Sequence, residues 1–238
     1  MSFTVTLLTS AADPESAAIA AALERVILTS QDAIEDASLS AETAASPTHR
    51  GMQVQIVQVE SLPDGTGTSD LLMAKADLLC PLTLENSAHL PLPHQALYQA
   101  CRHVEGLRAK VCAQGFSTGP GDLWLPIVLT AKGPLYGEAI GLKGDAFQQP
   151  IHLSDAQRQP AYRLGRWLLS ELSAPPAVYL LQMAIRSPSA APEIVFDRLW
   201  PFPAAPALAS QGRQSPDLML CHWRCLTQQP IRDLQVRL

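Results

Sequence analysis

The spacing of hydrophobic and polar positions changes several times along the chain, and each change marks an element. Phe3 to Leu8 is a short β-branched run that predicts a strand. Asp13-Pro14-Glu15 has the make-up of a helix start: a capping Asp, a proline at the first helical position and an acid in the first turn. Ile19, Leu23, Val26 and Ile27 follow at helical spacing, which predicts an amphipathic helix over 14–29. Residues 30–50 are rich in Ala, Ser, Thr and acids without apolar periodicity, so a long, mobile loop is expected there. MQVQIVQV (52–59) alternates like a strand, and the stretch from Ser61 to Thr68 is a break dense in turn residues. Leu71 to Leu84 is apolar and fits either a strand pair or a short helix followed by a strand.

In the second half, Leu97, Cys101, Val104, Leu107, Val111 and Cys112 form one stripe, predicting a helix over 93–114. FSTGPG (116–121) ends it. Leu123–Thr130 and Leu135–Leu142, joined by Ala131-Lys-Gly-Pro134, predict a β-hairpin. Ser154-Asp155 opens a helix reaching about Ser173, which Pro175-Pro176 stops. VYLLQMAI (178–185) reads as a buried strand and EIVFDRL (193–199) as its antiparallel neighbour. Pro201, Pro203 and Pro206 cannot donate to a ladder, so this segment belongs at an edge or in a packed extended loop. Leu218–Leu226 is a further strand or short helix. The expectation is a two-layer α/β or α+β fold. It has a mixed, mostly antiparallel sheet with about three long helices packed on it. It divides into an N-terminal α/β segment (1–85) and a C-terminal α+β segment (86–238), or forms one continuous domain.

Composition narrows the function. An apolar fraction of 47% with 16% charged residues excludes disorder along the whole of the 238-residue chain. A net charge of −5 and only four Lys argue against broad nucleic-acid binding and against a polybasic membrane patch. The longest uncharged apolar stretch, Pro175–Ile185, is too short to span a bilayer, and the N-terminus lacks the basic start of a secretory signal. Cys80, Cys101, Cys112, Cys221 and Cys225 make an odd count, poor material for a disulfide framework. A soluble, cytosolic chain with free thiols is expected.

The candidate chemistry is sparse. Cys221 and Cys225 in CHWRC would share a helix face and are a candidate metal pair, set against buried packing thiols. The six histidines (49, 89, 94, 103, 152, 222) sit in no nucleophile or zinc-protease signature. His103 reads as a mid-helix residue and His152 as a buttress of a helix start. FSTGPG has the glycines of a phosphate cradle but loses a donor at Pro120. Trp200 and Phe202, set among prolines, are either a rigid contact surface or a cover over one end of the core.

Four segments carry a resemblance: Leu135-Tyr-Gly-Glu138, Val178-Tyr-Leu-Leu-Gln182, Ile194-Val-Phe-Asp197 and Pro201-Phe-Pro-Ala204. In order and spacing, residues 121–210 resemble the C-terminal half of ATP-grasp ligases. The resemblance implies a Mg-ATP cofactor, with Asp197 on Mg²⁺, Arg198 on phosphate and Glu138 among the polar residues of the site. Gln182 stands where the family carries an acid, which implies a degenerate site. GPLYGEAIG, QPIHLSDAQRQPAY, APPAVYLLQ and FDRLWPFPAAPAL also look like an uncharacterised cyanobacterial protein family, which implies no activity. The leading expectation is a non-catalytic protein that works through contacts with another protein at Trp200 and Phe202. Its alternatives are an ATP-grasp-like nucleotide-binding ligase or its relic, and a metal protein built on Cys221 and Cys225.

Overall fold

A computed structural model describes residues 3–38, 51–62, 76–85, 92–186 and 192–236. The chain forms two compact units, Met1–Pro93 and His94–Leu238. Both combine helices with sheets, one parallel and one mixed, giving a mixed α+β protein.

In the first unit, β1 (Thr4–Thr9), α1 (Pro14–Ser38), β2 (Gln53–Gln58) and β3 (Leu78–Pro81) follow in order. β1 lies between β2 and β3, parallel to both. A parallel neighbour needs a crossover, and α1 supplies it between β1 and β2. All of β1 after Thr4 is buried, as expected of a central strand, whereas β2 at the edge has no buried residue. α1 begins at Pro14 as the capping signal predicts, but it runs on to Ser38. The loop expected over 30–50 therefore fails at 30–38. Ala-rich sequence with acids has high helix propensity even without a wide apolar stripe. Residues 39–50, Asp64–Gly67 and the first part of the 71–84 stretch lie outside the described residues.

The second unit holds a seven-stranded sheet in the order β4-β10-β9-β5-β7-β8, with β6 also paired to β5. Its strands are β4 (Ser117–Thr118), β5 (Leu123–Thr130), β6 (Gly133–Tyr136), β7 (Ala139–Lys143), β8 (Ala146–Ile151), β9 (Ala177–Arg186) and β10 (Glu193–Trp200). Only β4 runs parallel to its neighbour. The helices are α2 (Gln95–Arg102), α3 (Val104–Ala113), α4 (Asp155–Glu171) and α5 (Leu218–Leu226), and β11 (Gln214–Ser215) pairs with β12 (Gln235–Val236). α3 packs on β4 and β10, α4 on β10, and α5 on β5 and β9.

Two expectations are corrected here. The helix expected over 93–114 breaks at His103, whose φ −84°, ψ 69° is not helical, so His103 joins two helices and is not mid-helix. Its ring lies against Gly106, where any Cβ would collide with it. The return strand of the hairpin is interrupted at Gly137-Glu138, with β8 following as an additional strand. The cause is Pro126: its carbonyl accepts the Gly137 N–H at 3.0 Å, and on that same edge it has no N–H to offer. Of the two places expected for the proline segment, it takes the packed one. Residues 201–207 are buried, and Ala205–Ser210 forms a 3₁₀ turn.

The glycines of FSTGPG serve close packing. A Cβ on Gly121 would be driven into the Met183 backbone carbonyl, which has no soft side chain to yield. Gly121→Ala is expected to destabilise the protein by about 2–4 kcal/mol, in the range of overpacking and backbone strain. A urea melt checks this; an unchanged midpoint would refute the packing.

Candidate functional site

The polar residues cluster where β9 and β10 change register. Pairing shifts between Phe196 and Arg198, leaving Asp197 in a bulge. The extra residue turns a carboxylate inward, and its side chain is 7% exposed. Arg108 of α3 answers it, with Nη2 at 2.5 Å from Oδ1 and Nε donating at 3.0 Å to the Asp197 carbonyl. The Gly121 N–H donates to Oδ2 at 2.9 Å. Arg198 lies beside the pair, its Nε 3.6 Å from Oδ1 and its guanidinium 5.4 Å from the Trp200 ring centre.

Gln182, on β9, completes the group. Its amide donates to the Gly121 carbonyl at 2.7 Å, and its Oε1 accepts the Trp200 indole N–H at 3.0 Å. A carboxylate here would accept from Trp200 but repel the Gly121 carbonyl, so the amide is the side chain that fits. FSTGPG is accordingly not a phosphate cradle. Ser117–Thr118 pairs with β10, the Gly119 N–H donates to the Phe196 carbonyl at 2.9 Å, and the Gly121 N–H is spent on Asp197.

The structure thus gathers Asp197, Arg198 and Trp200 into one network and leaves the other sequence candidates elsewhere. Glu138 sits at the break between β6 and β7. There Arg158 of α4 donates to both its oxygens at 3.0 and 3.2 Å, with His152 Nδ1 at 3.9 Å. Phe202 is 1% exposed and stacks on Tyr98 at 6.5 Å, and its other aromatic neighbour is Trp200 at 6.1 Å. That is core packing. A contact surface needs an accessible ring, so Phe202 does not serve as one.

Cys221 and Cys225 do share a face of α5, and both are buried. Their thiols lie 3.6 Å from the Pro216 carbonyl and 3.4 Å from the Leu129 carbonyl. Burial pushes Cys225 up to about 12 and raises Cys221 as well, whereas a metal needs thiolates. Among the described residues no three His, Cys, Asp or Glu side chains converge as a metal site.

Mg²⁺ asks for carboxylate oxygens in near-octahedral array. Both oxygens of Asp197 are taken by Arg108 and Gly121, and Glu138 is taken by Arg158. These residues do not fit a metal-bound nucleotide. Sequence reasoning missed Arg108 and Arg158, the partners that decide this. Nothing local announces either, since Arg108 meets Asp197 across 89 positions of chain.

Solved structures share this fold at low sequence identity, in keeping with the ATP-grasp resemblance. Among solved structures, glycinamide-RNase-transformylase T of Mycobacterium tuberculosis matches at TM-score 0.63 and 18% identity, over 96% of this chain and 82% of that one. The ADP-complexed N5-carboxyaminoimidazole synthetase of Staphylococcus aureus matches at 0.69 and 7%, over 99% and 81%. The ATP-complexed carboxyaminoimidazole ribonucleotide synthase of Aspergillus clavatus matches at 0.69 and 9%, over 97% and 78%. No protein-family model matches the chain, and no curated protein matches it by sequence. Among the described residues no helix is long and apolar enough to cross a membrane.

Proposed function

We propose that this chain is a degenerate ATP-grasp protein that recognises a nucleotide without the metal-assisted ligase chemistry of that fold. The likeness to nucleotide-complexed ligases across nearly the whole chain supports the nucleotide part. The observation that carries the degenerate part is the Asp197 carboxylate. Its Oδ1 is paired with Arg108 and its Oδ2 accepts from Gly121, so the residue that the resemblance assigns to Mg²⁺ instead ties α3 and the 119–121 turn to the β10 bulge. Gln182 has the same character, bridging Gly121 and Trp200 as a neutral strut.

The reading predicts nucleotide binding that does not depend on Mg²⁺. ADP at about a hundredfold its Kd stabilises the native state by about 2.7 kcal/mol, whatever the value of Kd. The resulting rise in melting temperature is expected to be the same in Mg²⁺ and in EDTA, with no ATP turnover. Turnover that requires Mg²⁺ would restore the ligase reading. Absence of any ADP-induced shift would remove the nucleotide.

A further inference from the structure

We propose that the second unit carries an anion-binding pocket, separate from the Asp197 network, for a small molecule bearing two or more oxyanion groups, phosphoryl or carboxylate. The pocket is a cavity of about 590 Å³. Three stretches of chain build it: the β5–β6 turn, the end of α5, and the extended segment that follows. Each contributes one cation, Lys132, Arg224 and Arg232 respectively, and no acidic side chain lines the cavity. In a chain of net charge −5 this is a local concentration of positive charge. Among the described residues none of the three is in an ion pair. The adjacent carboxylate, Asp233, is turned to its own chain, accepting the Leu234 N–H at 2.8 Å.

A helix C-terminus ordinarily presents carbonyl oxygens that repel an anion. Here three of the last four carbonyls are occupied. Trp223 O accepts from Thr227 N–H at 3.0 Å, Arg224 O from Gln229 N–H at 2.7 Å, and Cys225 O from Gln228 N–H at 3.2 Å. The charged groups among the lining residues are all cationic, two guanidinium groups and an ammonium, and the Gln228 and Gln229 amides beside them can donate as well as accept. Guanidinium forks match the paired oxygens of phosphate and carboxylate. Leu135 and Ile231 line the same cavity and leave room for an apolar body between the charged ends. The inference does not rest on the nucleotide reading, because none of these residues belongs to the Asp197 network.

Isothermal titration with inorganic pyrophosphate and, separately, with tricarballylate tests it. The two arms tell phosphoryl from carboxylate preference. Binding of at least one probe is expected at or below about 1 mM, weakening as salt rises. In the double variant Lys132→Glu, Arg232→Glu, affinity is expected to fall at least about tenfold. Both of these side chains are exposed, so the fold tolerates the change. Arg224→Gln is expected to weaken binding too, but Arg224 also steadies the end of α5, so the double variant decides. No heat from either probe at about 10 mM, or equal affinity in wild type and double variant, would overturn the proposal. If pyrophosphate binding is lost in the double variant while the ADP shift persists, the two sites are distinct.

Discussion

Asp197→Asn is expected to lower the unfolding free energy by about 3 kcal/mol, the scale of breaking one half of a buried ion pair. Arg108 and Asp197 have side chains 21% and 7% exposed, so solvent screens the pair little. The amide keeps one acceptor but sets an NH₂ group against a guanidinium or against the Gly121 N–H. Either way a buried donor is left without an acceptor. Arg108→Met alone strands the carboxylate and costs a similar amount. The double variant is expected to lose about 1–3 kcal/mol less than the sum of the two, because the second change removes the charge that the first one stranded. Urea melts of the four proteins give the cycle. The experiment also bears on function, since a carboxylate reserved for metal can be neutralised with little loss of stability and much loss of Mg²⁺-dependent binding. A variant that melts like wild type would show that Asp197 is not the strut described above.

The same residue shows what can be read from sequence and what cannot. The strands around it follow local rules. VYLLQMAI is apolar but for Gln182 because β9 lies in the interior of the sheet, and EIVFDRL returns beside it as expected. The helix starts at Pro14 and Asp155 follow capping chemistry that operates within a few residues, including the Gln157 side chain on the Ser154 N–H at 2.8 Å. The site is different in kind. Whether Asp197 is a ligand or a strut depends on Arg108, 89 residues away, and on a bulge that no local pattern encodes. Glu138 likewise looks like a free acid until Arg158 is seen 20 residues on. The aromatic segment is open in sequence for a related reason. Trp200 and Phe202 beside prolines fit either a contact surface or a cover over the core, and what decides it for Phe202 is a residue remote in sequence, Tyr98, which packs on it from α2. The ATP-grasp echo survived because it rests on the order and length of elements, which burial and backbone pairing enforce without any particular side chain. Site chemistry is not protected in that way.

Stability is also expected to fall on acidification through one identifiable group. His222 lies on α5, is 2% exposed, and accepts the Val178 N–H at Nδ1 over 3.2 Å. Burial pushes its pKa from 6.5 down to about 3. The unfolded chain therefore takes up a proton below pH 6.5 that the folded chain refuses until about pH 3. The native advantage is complete above pH 6.5 and drains away as pH falls through that window, at about 1.4 kcal/mol per pH unit. The total approaches about 4–5 kcal/mol, enough to threaten a domain of ordinary stability. Cys221, Cys225 and Tyr179 nearby do not offset it, because burial raises all three and keeps them neutral in this range. Carboxylates elsewhere also titrate on acidification, so the measurement is a difference. Urea melts of wild type and His222→Gln are compared from neutral pH to about pH 4. The variant starts less stable, since its amide replaces a fitted ring, but its curve should fall less steeply on acidification. The gap between the two should narrow by about 1.4 kcal/mol per unit. Parallel curves would mean that the imidazole takes up its proton in the folded state, and that the interface between α5 and β9 admits water.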